Sequence, residues 1–118
     1  MYEYYAHITD VYDADTITAN IDLGFKSGLR GVKLRLFGIN APEIRLSKRV
    51  TQAEKEEGLK AKAWLETRIL GKEVFIRTYK DKTGKYGRWL AEVYPLDDQS
   101  KSFNQMLVDE GLAVEATY

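Results

Sequence analysis

Three short stretches carry side chains whose types and spacing allow phosphate or cation chemistry. "DADT", residues 13–16, sets Asp13 and Asp15 two positions apart at the start of an alternating segment, and a period of two directs both carboxylates to one side. Carboxylates so close repel unless a cation or a proton lies between them. "RLFGINAPE", residues 35–43, places Arg35 between Leu34 and Leu36, so leucines that face a core turn the guanidinium to the other side of the strand. Pro42 then ends any ladder and holds Ala41 extended, which fixes how Glu43 leaves the strand. "KTGKYGR", residues 82–88, bends at two glycines and presents Lys85, Tyr86 and Arg88. A phosphodiester gathering negative charge needs that charge neutralised at fixed geometry, and a guanidinium offers a planar fork for its oxygens.

Each stretch also has a plainer reading. Arg35 and Glu43 can form a surface ion pair worth about 0–1 kcal/mol. "DADT" is a common hairpin corner, because aspartate bonds its own backbone in turns, and the lysine-rich bend reads equally as a solvated loop. What raises the chemical reading is that the three stretches occur together in one short chain.

The elements that must hold them follow from periodicity. Tyr4, Ala6 and Ile8, then Ile17, Ala19, Ile21 and Leu23, then Val32, Leu34 and Leu36 alternate with polar residues and predict three strands. "TQAE" from Thr51 is a capping box that opens a helix with Ala61, Trp64, Leu65 and Ile69 on one face, ending near Gly71. "EVFIRTY" and "WLAEVY" predict two more strands, and "SFNQ" from Ser102 opens a second helix that ends at Gly111. A helix between the third and fourth of five antiparallel strands is the order of the partly open Greek-key barrel called the OB-fold. The expected class is α+β, mainly β: a five-stranded OB-fold barrel with two to three helices in a single domain spanning residues 1–118.

Composition narrows the function. Eighteen basic and eighteen acidic residues cancel, so the strong overall positive charge of many nucleic-acid binders is missing and any such affinity must be local. With no cysteine, disulfides and thiolate metal sites are out and any metal must be held by oxygen. No apolar run approaches the ~20 residues of a membrane span. "MYEYYAHITD" has neither the basic start nor the apolar stretch of a secretory signal, so the expectation from the chain as written is a cytoplasmic protein, with a longer secreted precursor left open.

"DADT", "RLFGINAPE", "KYGRWLAEVY" and "NQMLVDEGLA" resemble, in order and spacing, the signature segments of the staphylococcal nuclease-like (thermonuclease) family, over a span from about Ile8 to about Val114. The resemblance implies a calcium-dependent phosphodiesterase on an OB-fold barrel that cuts DNA or RNA and, in the best-known members, leaves 3'-phosphates. By that pattern Asp15 is a metal-ligand carboxylate, Asn40 a second ligand and the backbone carbonyl of Ala41 a third; Asp13 is a candidate outer-shell carboxylate that would compensate for the uncharged Asn40. Glu43 positions or deprotonates the attacking water, Arg35 and Arg88 grip the phosphate, and Tyr86 and Lys85 lie beside it. The implied partner is single-stranded or frayed DNA, with RNA as the further candidate; the expected state is a monomer away from membranes. The alternative is a catalytically weak or inactive OB-fold module that binds nucleic acid or protein.

Three positions depart from the family pattern. Asn40 stands where aspartate is common and brings an oxygen without charge, which should weaken calcium binding. Ala14 replaces a glycine, at a cost of about 1 kcal/mol if the turn demands positive φ. Ala41 replaces a hydroxyl residue, losing only a side chain. Elsewhere, His7 reads as a partly exposed strand residue, Trp64 and Trp89 as core with stacking on a base open for Trp89, and Tyr79 with Tyr86 as rings flanking a basic turn. Gly58 interrupts the long helix at about 1 kcal/mol relative to alanine, which points to a close neighbour.

Overall fold

Alternation in the first strand, β1 (Tyr2–Asp13), does not run through unbroken. Ala6 and Ile8 point into the core on even positions, whereas Val11 and Asp13 are buried on odd ones. A bulge against β2 (Thr16–Gly24), between Ile8 and Asp10, inserts one unpaired residue and exchanges the two sides of the strand beyond it. That shift brings Val11 inward, and a second irregularity, between Val11 and Asp13, follows at the corner, where Asp13 is buried as well. Without the first shift, the same sequence would show Asp10 to the interior.

The computed structural model describes residues 2–42, 51–80 and 89–116. Strands β1, β2, β3 (Ser27–Leu36), β5 (Glu73–Lys80) and β6 (Trp89–Tyr94) form a closed barrel in the order β1-β2-β3-β6-β5, with β5 returning to β1. Ile17, Ala19 and Ile21 of β2, Leu34 and Leu36 of β3, Val74 and Ile76 of β5, and Ala91 and Val93 of β6 fill it. The mainly-β barrel matches the sequence expectation. Its seams are not all antiparallel, however: β3 and β6 run parallel from Leu34–Trp89 to Leu36–Ala91. The reason is parity, since an odd number of strands cannot alternate direction all the way around a ring.

Helix α1 (Gln52–Ile69) packs on β1 through Gly58, Ala61, Leu65 and Ile69, a spacing of three and four that keeps one stripe buried. Thr51 Oγ1 accepts from Glu54 N at 3.1 Å, as the capping box predicts. Past the helix, Gly71 at φ +72° turns the chain so that its N–H reaches Ile8 O at 2.8 Å, fastening the helix end beside the bulge.

Helix α2 (Phe103–Asp109) is capped by Ser102, whose Oγ accepts from Gln105 N at 3.0 Å, and it buries Phe103, Asn104 and Leu107 against the barrel. The chain then forms β7 (Val114–Glu115), which pairs with β4 (Ile39–Asn40) as a small antiparallel ribbon. This ribbon was not foreseen, and it holds the stretch that contains Asn40. Among the described residues, no helix is long and apolar enough to cross a membrane.

Candidate active site

The β1–β2 corner and the end of β3 meet at one edge of the barrel. Asp13 Oδ1 accepts from Asp15 N at 3.0 Å, the local bond expected of an aspartate corner. Asp15 then faces the β3 side, where its Oδ2 accepts from Ala41 N at 2.9 Å and pairs with Arg35 Nη1 at 2.5 Å. The other face of the Arg35 fork donates from Nη2 to Asn40 Oδ1. Backbone bonds fix the frame: Leu36 N donates to Asp15 O at 2.8 Å, and Arg35 Nη1 reaches the same carbonyl at 3.2 Å. Thr16 Oγ1 donates to Asp15 Oδ1 at 3.2 Å. Two segments some twenty residues apart in sequence therefore enclose a cleft of about 450 Å³ lined by Tyr12, Asp13, Asp15, Thr16, Arg35, Asn40 and Ala41.

The aspartates are both 9% exposed, and they divide one proton unequally. Burial, then the hydrogen bond and the charge of Asp15, pushes the Asp13 carboxyl up to about 7. For Asp15 burial is also the largest influence and by itself raises the pKa, but it is outweighed by the hydrogen bonds from Asp13 and from the Ala41 N–H and by the Arg35 charge, so this carboxyl lies below its usual range. Asp15 is thus the anion and Asp13 the proton holder. The Asp15–Arg35 pair has only 12% of each side chain exposed, a buried ion pair whose partners hold each other in place.

The sequence pattern of the family described as staphylococcal nuclease homologue matches residues 33–118. The chain belongs to this family. No curated protein matches it. The matched span takes in Arg35, Asn40 and Ala41 but begins after both aspartates, so this staphylococcal nuclease homologue brings the acidic half of its cleft from outside the matched region, through the β1–β2 corner.

Whether the cleft of this family member suits a cation is a question of donors. Asp15 Oδ2 and Asn40 Oδ1 already converge on one positive group, the guanidinium of Arg35, which stands where a hard cation would be drawn. Hard oxygens from a carboxylate, an amide and the backbone are the set calcium takes. No group of three or more histidine, aspartate or glutamate side chains among the described residues is arranged to hold a metal, so main-chain and water oxygens would have to complete any shell.

Glu43, Lys85, Tyr86 and Arg88 lie outside the described residues. Ala14 is fully buried, and the non-glycine positions with positive φ among the described residues are Phe25 and Lys26, so the alanine fits its turn without the expected strain. His7 bonds Glu73 at 3.1 Å on the barrel exterior, partly exposed as expected. Tyr79 stacks on Phe37 at 4.6 Å and donates to Glu92 at 2.5 Å, so its hydroxyl is committed to the barrel wall. Trp64 is partly buried, with the Arg68 guanidinium 3.8 Å above its ring, and Gly58 is buried. Trp89 departs from the core expectation: it is 41% exposed and lines a pocket with Tyr4 and Leu29. Asn104 was missed altogether, although it is 4% exposed and reaches three backbone groups.

Proposed function

We propose that this chain is a calcium-dependent phosphodiesterase that hydrolyses DNA, single-stranded or frayed, with RNA as the second candidate substrate, and that residues 1–118 act as one domain. The observation that carries this reading is the convergence of Asp15, Asn40 and Ala41 with Arg35 in one solvent-open cleft. A cation held there by Asp15, Asn40 and the Ala41 carbonyl would supply positive charge beside a phosphate oxygen. Arg35 and Arg88 offset the charge that grows on the phosphoryl group, and Lys85 with Tyr86 seats the phosphate. Glu43 orients the attacking water and accepts its proton. The water oxygen bonds to phosphorus, a P–O ester bond breaks, and the leaving oxygen takes up a proton.

A second reading has an observation of its own. Arg35 is engaged by Asp15 and Asn40 together, and burial pushes the Asp13 carboxyl up to about 7, so below that pH the cleft is close to electrically satisfied without a metal. A binding module that has lost catalysis would look the same. Incubation of the purified chain with single-stranded DNA, first with calcium and then with chelator, separates the two. The nuclease reading expects cleavage that chelation stops and that Glu43→Gln or Arg88→Ala lowers by about 10²-fold or more. Binding without cleavage under both conditions would favour the module.

A further inference from the structure

The parallel seam between β3 and β6 is only three residue pairs long, from Leu34–Trp89 to Leu36–Ala91. At its end Phe37 N still donates to Ala91 O at 2.8 Å, but the chain then turns away through Gly38 at φ +80° toward Asn40. Beyond the Phe37 N–H, the next link to β6 that the described residues show is a side chain. Asn104 Oδ1 accepts from Val93 N at 3.0 Å, and its Nδ2 donates both to Phe37 O at 2.9 Å and to Ala91 O at 3.0 Å. Both carbonyls are held by one planar amide whose acceptor end is fixed on β6. Three of the four hydrogen-bonding sites of the amide are used, in a residue 4% exposed at the start of α2. Asparagine is a poor helix former, and an aliphatic residue would fill the same space without needing any partner.

Phe37 lies between the two groups that meet in the cleft. Arg35 precedes it by two residues and Asn40 follows it by three. Its carbonyl is a fixed point of the main chain just before the Gly38 turn, so the orientation of that peptide sets where the Asn40 amide and the Ala41 N–H return to meet Arg35 and Asp15. On the far side of the turn, Ala116 N donates to Gly38 O at 2.8 Å and β7 holds β4, so the turn is gripped at both ends.

We infer that Asn104 is a positioning residue for the cleft, fixing the Arg35–Ala41 segment against β6 so that guanidinium and oxygen donors keep one mutual geometry. It touches no reacting atom and acts through Phe37. The inference rests on the phosphodiesterase reading for its catalytic consequence, since a misplacement of about 1 Å at such a site costs about 10²-fold in rate.

The test compares Asn104→Ala and Asn104→Asp with Ser102→Ala, which weakens the cap of the same helix but leaves the amide alone. All are measured at a temperature where circular dichroism shows them folded. One readout is kcat and KM on single-stranded DNA with calcium; the other is the guanidinium N–H signals of Arg35 by NMR without metal. The expected result for Asn104→Ala is a kcat lowered about tenfold or more with KM within about threefold, and displaced Arg35 signals, while Ser102→Ala changes neither. A folded Asn104→Ala protein with wild-type kcat and wild-type Arg35 signals would make Asn104 a staple of the fold only. Should Asn104→Ala not fold, Asn104→Asp is read in the same two ways, because it keeps the acceptor for Val93 N and, protonated by burial, regains one donor. If the wild type does not cleave DNA, the phosphodiesterase reading fails, and the Arg35 signals alone decide on the positioning role.

Discussion

Asp13→Asn should alter the pH dependence of stability in a direction set by the proton that Asp13 holds. Burial pushes the native carboxyl from the ordinary 3.8 up to about 7, so the folded protein binds the proton more tightly than the unfolded chain does. The stability this contributes is complete below the unfolded pKa and is lost as pH rises through the native one. A rise from 3.8 to about 7 would correspond to about 4 kcal/mol in full. Water in the open cleft screens part of it, which brings the expected loss to about 2 kcal/mol between pH 4 and 8. In the variant, an amide oxygen still accepts from Asp15 N–H and an N–H stands where the acid has its proton, so the loss should vanish. Asp15 has the opposite slope, losing its contribution as pH falls through its lowered pKa, and for that reason the difference between the two proteins is the quantity to measure. Urea melts without calcium at unit steps of pH should show Asp13→Asn gaining on wild type by about 2 kcal/mol across this window. A difference that is flat with pH, or that favours wild type as pH rises, would refute the assignment of the proton to Asp13.

Two further outcomes follow from the way Arg35 fills the cleft. Arg35→Ala removes the positive group that Asp15 and Asn40 now share, so it should destabilise the metal-free protein by about 3 kcal/mol and yet tighten calcium binding about tenfold in calorimetry; equal or weaker binding would show that guanidinium and cation do not compete. Asn40→Asp adds a charge to the same oxygen position and should raise calcium affinity several-fold. Unchanged affinity on that substitution would remove Asn40 from the ligand set.

Features written in neighbouring residues are legible in the sequence. Thr51 and Ser102 cap their helices within three positions of themselves, and Arg35 takes the outward side because Leu34 and Leu36 take the inward one. Local alternation could not reveal the bulge in β1, because its evidence is a mismatch with β2 rather than a pattern within β1. The Asp15–Arg35 pair was not legible for a similar reason: Asp15 arrives from a different hairpin and is twenty residues away. Asn104 gives no signal in its own helix, since all three of its partners belong to other strands. The parallel seam, by contrast, was implied by the strand count and needed only the closure of the ring to be drawn.

The irregularity in β1 separates two tasks of a single strand. Residues up to His7 zip onto β5 and shut the barrel, while the acid-bearing tip beyond the extra residue answers to β2 alone. In a sister chain shortened by that one residue the alternation would run on unbroken, with Val11 still opposite Ile17 and the carboxyl groups on the flank they hold here. Length at this point can therefore drift within a lineage while the acidic corner stays where it is.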